Sequence, residues 1–378
     1  MYDLLIKNGK LANGDIVDVA ILNGKIAELG SNINEVATKA IDLQGLHYLS
    51  AGWIDLHTHC YPSSPIYNDE PDLIGVNHGV TTVVDAGSVG ADDVDDFYRL
   101  AQKSTTNVYS ILNISRIGLL RQDELADMSD INLDAAKTAI TKHSDFVVGI
   151  KARMSGSVVK NNGLAPLIRA KEMQAQNNNL PLMVHVGNNP PNLDDIAELL
   201  TKGDIITHCY NGKPNRILTP NGELKESMKK AIKRGVILDV GHGGASFSFD
   251  VAEQAIKKGI YPDTISSDIY CKNRISGPVR SLSHIMSKFL TIGLPMEQVI
   301  ECVTTNAANA LKITTKGRLE VGKDADITIF NILNEPCIFE DSEQGSRKGS
   351  ESFLPLACIV SGKLITTQHG EQHNVFNA

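Results

Sequence analysis

No run of about 18 or more consecutive apolar residues occurs in the 378-residue chain, which excludes a transmembrane helix. Basic residues are in deficit: 36 Lys plus Arg stand against 44 Asp plus Glu, a formal charge of −8. That balance argues against nucleic acid or an anionic membrane as a partner. None of the six cysteines forms a Cys-x-x-Cys pair, so neither a disulfide framework nor a zinc ribbon is indicated. The opening Met-Tyr-Asp-Leu-Leu-Ile-Lys has no basic segment leading into a long apolar stretch, so no secretory signal is expected. Gly-x-x-x-x-Gly-Lys-Ser/Thr is missing, and no Gly-x-Gly-x-x-Gly follows the first strand of the middle region. P-loop and dinucleotide readings therefore have no support. What is present, 42% apolar and 21% charged residues, is the mix of a soluble globular protein. The expectation is a cytoplasmic protein acting on a small molecule, with a homo-oligomer left open.

The two chain ends share a character that the middle lacks. In residues 1–50, Asp3–Lys7, Ile16–Leu22 and Lys25–Leu29 alternate as strands, with Asn8-Gly9, Asn13-Gly14 and Asn23-Gly24 as hairpin turns. Near the other end, Ala325–Phe330 and Ala357–Ile365 read as strand-turn-strand, so the ends are expected to pair into one small β domain. Between them come eight apolar runs: Trp53–Leu56, Val80–Val84, Asn107–Ile114, Phe146–Ile150, Leu180–Val186, Asp204–Thr207, Val236–Val240 and Thr264–Ser267. Segments with helical spacing separate them, including Leu164–Gln176, Asp194–Thr201, Glu223–Arg234 and Pro278–Leu290, the last with proline in its first turn. Alternating strands and helices make an α/β protein with a parallel sheet, and eight such units match a (β/α)8 TIM barrel. The boundaries are then 1–50, 51–314 and 315–378. Glu340–Ser352, polar and rich in charge and serine, is expected to be an exposed loop.

In such a barrel the active groups lie where strands end. The first run ends Asp55-Leu56-His57-Thr58-His59, and two histidines at i and i+2 share one face of a strand. The fourth run ends in Lys151, the fifth in His185, the sixth precedes His208, the seventh reaches His242, and the eighth ends at Asp268. Singly, each has a bland reading as a hydrogen-bonded histidine or an ion-paired lysine. Together they converge if the barrel is right, and they make a metal site. His47, His78, His143, His284, His369 and His373 show no such placement.

These residues resemble the amidohydrolase superfamily. The resemblance is carried by Gly52-Trp-Ile-Asp-Leu-His-Thr-His59, Gly79-Val-Thr-Thr-Val-Val-Asp-Ala-Gly87, Lys151, His185, His208 and Asp268. Thr304–Leu311 and Gly317–Asp326 add to it. The resemblance implies a small β-sandwich domain built from both chain ends beside the barrel. It implies two divalent metal ions, zinc by donor type, with a carbamate on Lys151 bridging them. His57, His59 and Asp268 would hold one ion, and His185 and His208 the other. Metal binding lowers the pKa of water from about 15.7 toward 7, which supplies a nucleophile without serine or cysteine. Asp268 would move the proton.

The substrate is less constrained. Dihydroorotase-like members carry an arginine soon after the His-x-His pair, where this chain has Cys60 and Tyr61. Adenine deaminases of the superfamily lack the bridging lysine. Lys151, the Gly241-His242-Gly243-Gly244 loop and Asp268-Ile-Tyr-Cys resemble a deacetylase-like subgroup acting on small N-acetyl or O-acetyl carboxylates. His242 is a candidate donor to an oxyanion or a substrate carboxylate. Arg153, Arg216, Lys272 and Arg274 are candidate carboxylate partners, and Tyr270 and Asn113 candidate hydrogen-bonding groups. A metal-free assembly scaffold would lack ligands that are all present here.

Overall fold

A computed structural model describes residues 1–372 and 376. His373, given no role by the sequence, lies outside the described residues. Seven parallel strands pair in chain order: Trp53–Thr58, Val80–Ala86, Asn107–Asn113, Val147–Met154, Leu182–Val186, Ile205–Thr207 and Ile237–Asp239. The eighth expected strand, Thr264–Ser267, is reduced to single parallel bridges, Asp239 with Thr264 and Thr58 with Ile269. It still joins the seventh strand to the first: His242 N donates to Ser266 O, and Asp268 N donates to His57 O at 2.7 Å. The curled sheet is therefore a TIM-like barrel. The strand is cut short because Asp268 has φ of 51°, a left-handed conformation that no strand continues.

Strands from both chain ends lie in one eight-stranded sheet, in which Ile327–Leu333 pairs with Tyr48–Ala51 and with Ser352–Val360. Leu4, Ile6, Val19, Ile21, Ile327, Ile329 and Ile359 share one apolar cluster. The pairing makes a single sheet and does not by itself divide the strands into the two layers of a sandwich. Asn8-Gly9 is not a turn. The strand Tyr2–Lys10 runs through it with a register shift between Ile6 and Gly9, because Asn8 takes φ of 54° and absorbs the extra residue as a bulge. Asn13-Gly14 and Asn23-Gly24 do connect consecutive strands.

The helix expected from Pro278 begins at Leu282, with Ser281 as its N-cap accepting from His284 N. Pro278 lies outside, in a turn before the cap. The apolar spacing holds: Leu282, Ile285, Met286 and Phe289 are all buried. His284 is structural, as its placement suggested. Its Nδ1 donates to Val279 O, and burial with the Lys288 charge pulls it down to about 3. A histidine depressed from 6.5 in the fold stabilises above 6.5 and loses that contribution as the pH falls toward 3. By pH 5 the loss is about 2 kcal/mol. His284→Gln should therefore flatten the decline in urea-unfolding stability between pH 7 and 5, and an unchanged slope would refute this.

The Glu340–Ser352 segment is largely exposed, as expected, but it is not an irregular loop. Cys337–Glu340 and Ser346–Gly349 form a two-stranded hairpin, and its polar groups bind barrel loops. Asp341 Oδ2 accepts from Phe249 N, and Arg347 pairs with Asp250 and Glu253. Among the described residues, no helix is long and apolar enough to cross a membrane.

Candidate active site

Six of the seven residues singled out at strand ends, all but His242, line one cavity of about 390 Å³. His57 Nε2 and His59 Nε2 lie 3.4 and 3.1 Å from Asp268 Oδ1. Lys151 Nζ is 3.1 Å from His57 Nε2, and His208 Nε2 is 2.8 Å from His185 Nδ1. Ligand atoms of His57, His208 and Asp268 fall within 4.8 Å of one another. The strands impose this meeting: Lys151 pairs in register with Asn113 on one side and Met183 on the other. His208 and Asp268 both have positive φ, 67° and 51°, which turns them off the strand direction at the rim. Such conformations cost of order 1–3 kcal/mol each and persist where surroundings over-determine them.

Three of the four histidines are held from behind. His57 Nδ1 is 2.8 Å from Thr207 Oγ1, whose hydroxyl donates to Asp239 at 2.7 Å, so Nδ1 carries the proton and Nε2 faces the cavity with its lone pair. His208 Nδ1 donates to Gly241 O at 2.5 Å, with the same result. His59 Nδ1 is held by Ser88 Oγ. Burial pulls His208 down to about 4 and holds His57 and His185 well below the usual imidazole range. All three are neutral donors.

The charge around them is negative. Asp55, Asp85 and Asp239 are buried beside the ligands, held by hydroxyls and backbone N–H groups. Among the described residues, none of the three pairs with lysine or arginine. Burial pushes Asp55 up to about 7 and raises Asp239. Burial works against the Asp268 carboxylate, but His57, His59 and His208 outweigh it and hold it below the usual range. Asp268, Asp239 and Asp85 act on one lysine, itself drawn down to about 7 by burial. Neutral imidazoles converging on the ionised Asp268 carboxylate fit divalent cations.

Of the other expected residues, Arg153, Tyr270 and Lys272 line the cavity. Four do not. Asn113 donates to Gly87 O and accepts from Ser115 N, so its amide holds loop backbone. Arg274 makes a two-point ion pair with Asp69. Arg216 reaches only Gly212 O, at 3.4 Å. His242 is fully buried behind the rim: Nδ1 donates to Gly243 O and Nε2 accepts from Lys288, so it has no free donor for substrate. Lys213 and Tyr67 also line the cavity and were not singled out. Lys213 lies five residues after His208, in the polar loop Tyr210–Asn221, and that position was the available signal. A second cavity, about 470 Å³ and lined by residues such as Tyr98, Asn107 and Lys363, contains none of these groups.

The amidohydrolase family matches residues 48–364. The chain belongs to the amidohydrolase family. A deacetylase of Enterococcus faecalis (strain ATCC 700802 / V583) is 47% identical over 364 residues, covering 96% of this chain and 99% of that one. A crystal structure of an adenine deaminase superposes with a TM-score of 0.96 at 46% identity, covering 97% of this chain and 100% of the other. A crystal structure of a dihydroorotase gives a TM-score of 0.88 at 33% identity, with 97% and 99% covered. This amidohydrolase is a hydrolytic enzyme, and divalent metal binding is general in its family. The relatives differ in the reaction their names state, so the site residues have to decide it.

Proposed function

We propose that this amidohydrolase removes an acetyl group from small N-acetyl or O-acetyl carboxylates. The observation that carries this reading is the cavity wall: Arg153, Lys213 and Lys272 line the same cavity as the six side chains. Among the described residues Lys213 and Lys272 form no ion pair. A neutral purine has no use for two lysines without ion pairs, whereas a carboxylate does. In this reading His57, His59 and Asp268 hold one divalent ion, zinc by donor type, and His185 and His208 a second, with carboxylated Lys151 between them. When bound, the ions would polarise the acetyl carbonyl and lower the pKa of water.

The chain's own groups do the rest. Asp268 Oδ1 is engaged by His57 and His59, while Oδ2 lies against Gly243, where a Cβ would collide with the carboxylate. Oδ2 is thus the atom placed to accept a proton from the attacking water and return it to the leaving amine or alcohol. Tyr67 and Tyr270 pack edge to face, with ring centroids 4.8 Å apart, and Tyr67 lies 5.4 Å from His59. They screen one side of the site from water. Arg153 is fixed by Glu124 at 3.2 Å, so its remaining N–H groups can anchor a carboxylate.

The deciding experiment compares acetate release from a library of acetylated acids with ammonia release from adenine and ring opening of dihydroorotate. Acetate release is expected, and activity on adenine alone would replace this reading with a deaminase. Lys213→Met should raise KM for the acetylated carboxylate about 10- to 100-fold, the worth of one charge-assisted contact, and leave kcat within a few-fold. An unchanged KM would remove Lys213 from the anion site.

A further inference from the structure

The helix Leu282–Thr291 carries a fully buried lysine that the hydrolysis does not use. An ammonium has three N–H donors, and Lys288 Nζ has three acceptors: His242 Nε2 at 2.9 Å, Pro278 O at 2.8 Å and Glu340 O at 2.6 Å. No carboxylate accepts from it. The acceptors come from three separate pieces of chain: the loop after the seventh strand, the turn before the helix, and the hairpin Cys337–Gly349.

His242 sits between two glycines that touch the donor set. Gly241 O receives the Nδ1 proton of His208, and at φ of 45° a side chain there would strike Thr207 and crowd His208. Gly243, at φ of 57°, lies against Asp268. The His242 ring stacks on Phe247, with centroids 4.4 Å apart and planes at 23°, and its Nδ1 donates to Gly243 O. Its remaining nitrogen is the one Lys288 grips. The hairpin holds the same loop a second time, because Ser342 Oγ donates to Gly243 O at 2.9 Å.

We propose that Lys288 is a positioning residue: through His242 it fixes the Gly241–Gly243 turn, and so sets His208 and Asp268 in the geometry that binds metal, with the C-terminal hairpin as the anchor. A buried amine nitrogen bonded to a neutral imidazole and two carbonyls specifies one arrangement of three loops. Apolar packing alone would let the turn slide. The inference rests on the proposed metal roles of His208 and Asp268, and it is independent of the substrate.

The test is titration of the metal-free full chain with Co2+, read by its visible absorption, for the wild type, Lys288→Met, His242→Phe and the double variant. His242→Phe keeps the stack on Phe247 and loses the acceptor. Each single change should weaken Co2+ binding about 10- to 100-fold, as loss of groups behind the ligands does, and shift the visible bands. The double variant should be no weaker than Lys288→Met, because both changes break one connection. A lysine that only stabilises the fold would lower the unfolding temperature and leave Co2+ affinity and spectrum as in the wild type, which would overturn the proposal, as would multiplicative losses in the double variant. Should Lys288→Met fail to fold, the double variant, which also removes the His242 nitrogen left without its donor, carries the test: wild-type Co2+ affinity there overturns the clamp. A wild type that binds no Co2+ would instead overturn the metal assignment beneath it.

Discussion

Lys151→Ala is expected to lose metal and to lose hydrolysis by roughly a thousand-fold or more, about 4 kcal/mol in kcat/KM. Lys151 is fully buried, and its Nζ faces His57 Nε2 and Met183 Sδ, each at 3.1 Å. Neither is a counter-ion. Burial draws the amine down to about 7, with Asp268 and Asp239 opposing. As an ammonium it would stand beside two dications. Even at an effective dielectric of 20, like unit charges about 4 Å apart repel by about 4 kcal/mol, and each dication doubles that. A neutral amine that has taken up carbon dioxide reverses the sign and offers two oxygens on a long arm. Acetate or propionate added to the alanine variant should therefore restore part of both metal content and rate. Lys151→Arg should restore neither, because it keeps the charge and cannot form a carbamate. Elemental analysis with a parallel assay checks this. An alanine variant with two metals and full activity would leave Lys151 as packing alone.

The meeting of the six side chains in one cavity was legible in the sequence because strand positions largely are. His57 and His59 share a face by the period of two, and His185 and His208 lie at the ends of short apolar runs, whereas Lys151, expected just past its run, lies inside the strand Val147–Met154. That logic fails once the chain leaves the extended state. The seventh strand ends at Asp239, and the chain turns at Gly241 with φ of 45°, so His242, in line with the others by sequence, points behind the rim to Lys288. Arg274 shows a second limit. Its partner Asp69 is 205 residues away, and no local pattern announces such a pair. Composition showed only part of Glu340–Ser352: most of its side chains are exposed, but Asp341 and Ser342 bind Phe249 and Gly243, and the Glu340 carbonyl accepts from Lys288. The eighth strand was placed correctly but is not a regular strand, because the residue that ends it, Asp268, has the left-handed backbone that brings its carboxylate to the histidines.

That backbone makes Asp268→Asn the sharpest separation of chemistry from folding. Asparagine tolerates φ near 51° better than other side chains of its size, so the backbone should keep its shape. Its amide can turn an N–H toward the Nε2 lone pairs of His57 and His59, now 3.4 and 3.1 Å from Oδ1. The fold should therefore hold within about 1 kcal/mol. An amide cannot accept a proton at neutral pH, and it is a poor anionic ligand. The rate should fall about 10²- to 10⁴-fold, the range for loss of a general acid–base, with KM nearly unchanged. Asp268→Ala should lose as much activity and also stability, since alanine pays the left-handed strain without any hydrogen bond to offset it. Acetate-release kinetics beside thermal unfolding distinguish the two variants. If the asparagine variant hydrolysed at the wild-type rate, Asp268 would be a scaffold for the histidines, and the proton would have to move through another group on the cavity wall, with Tyr270 the nearest in sequence.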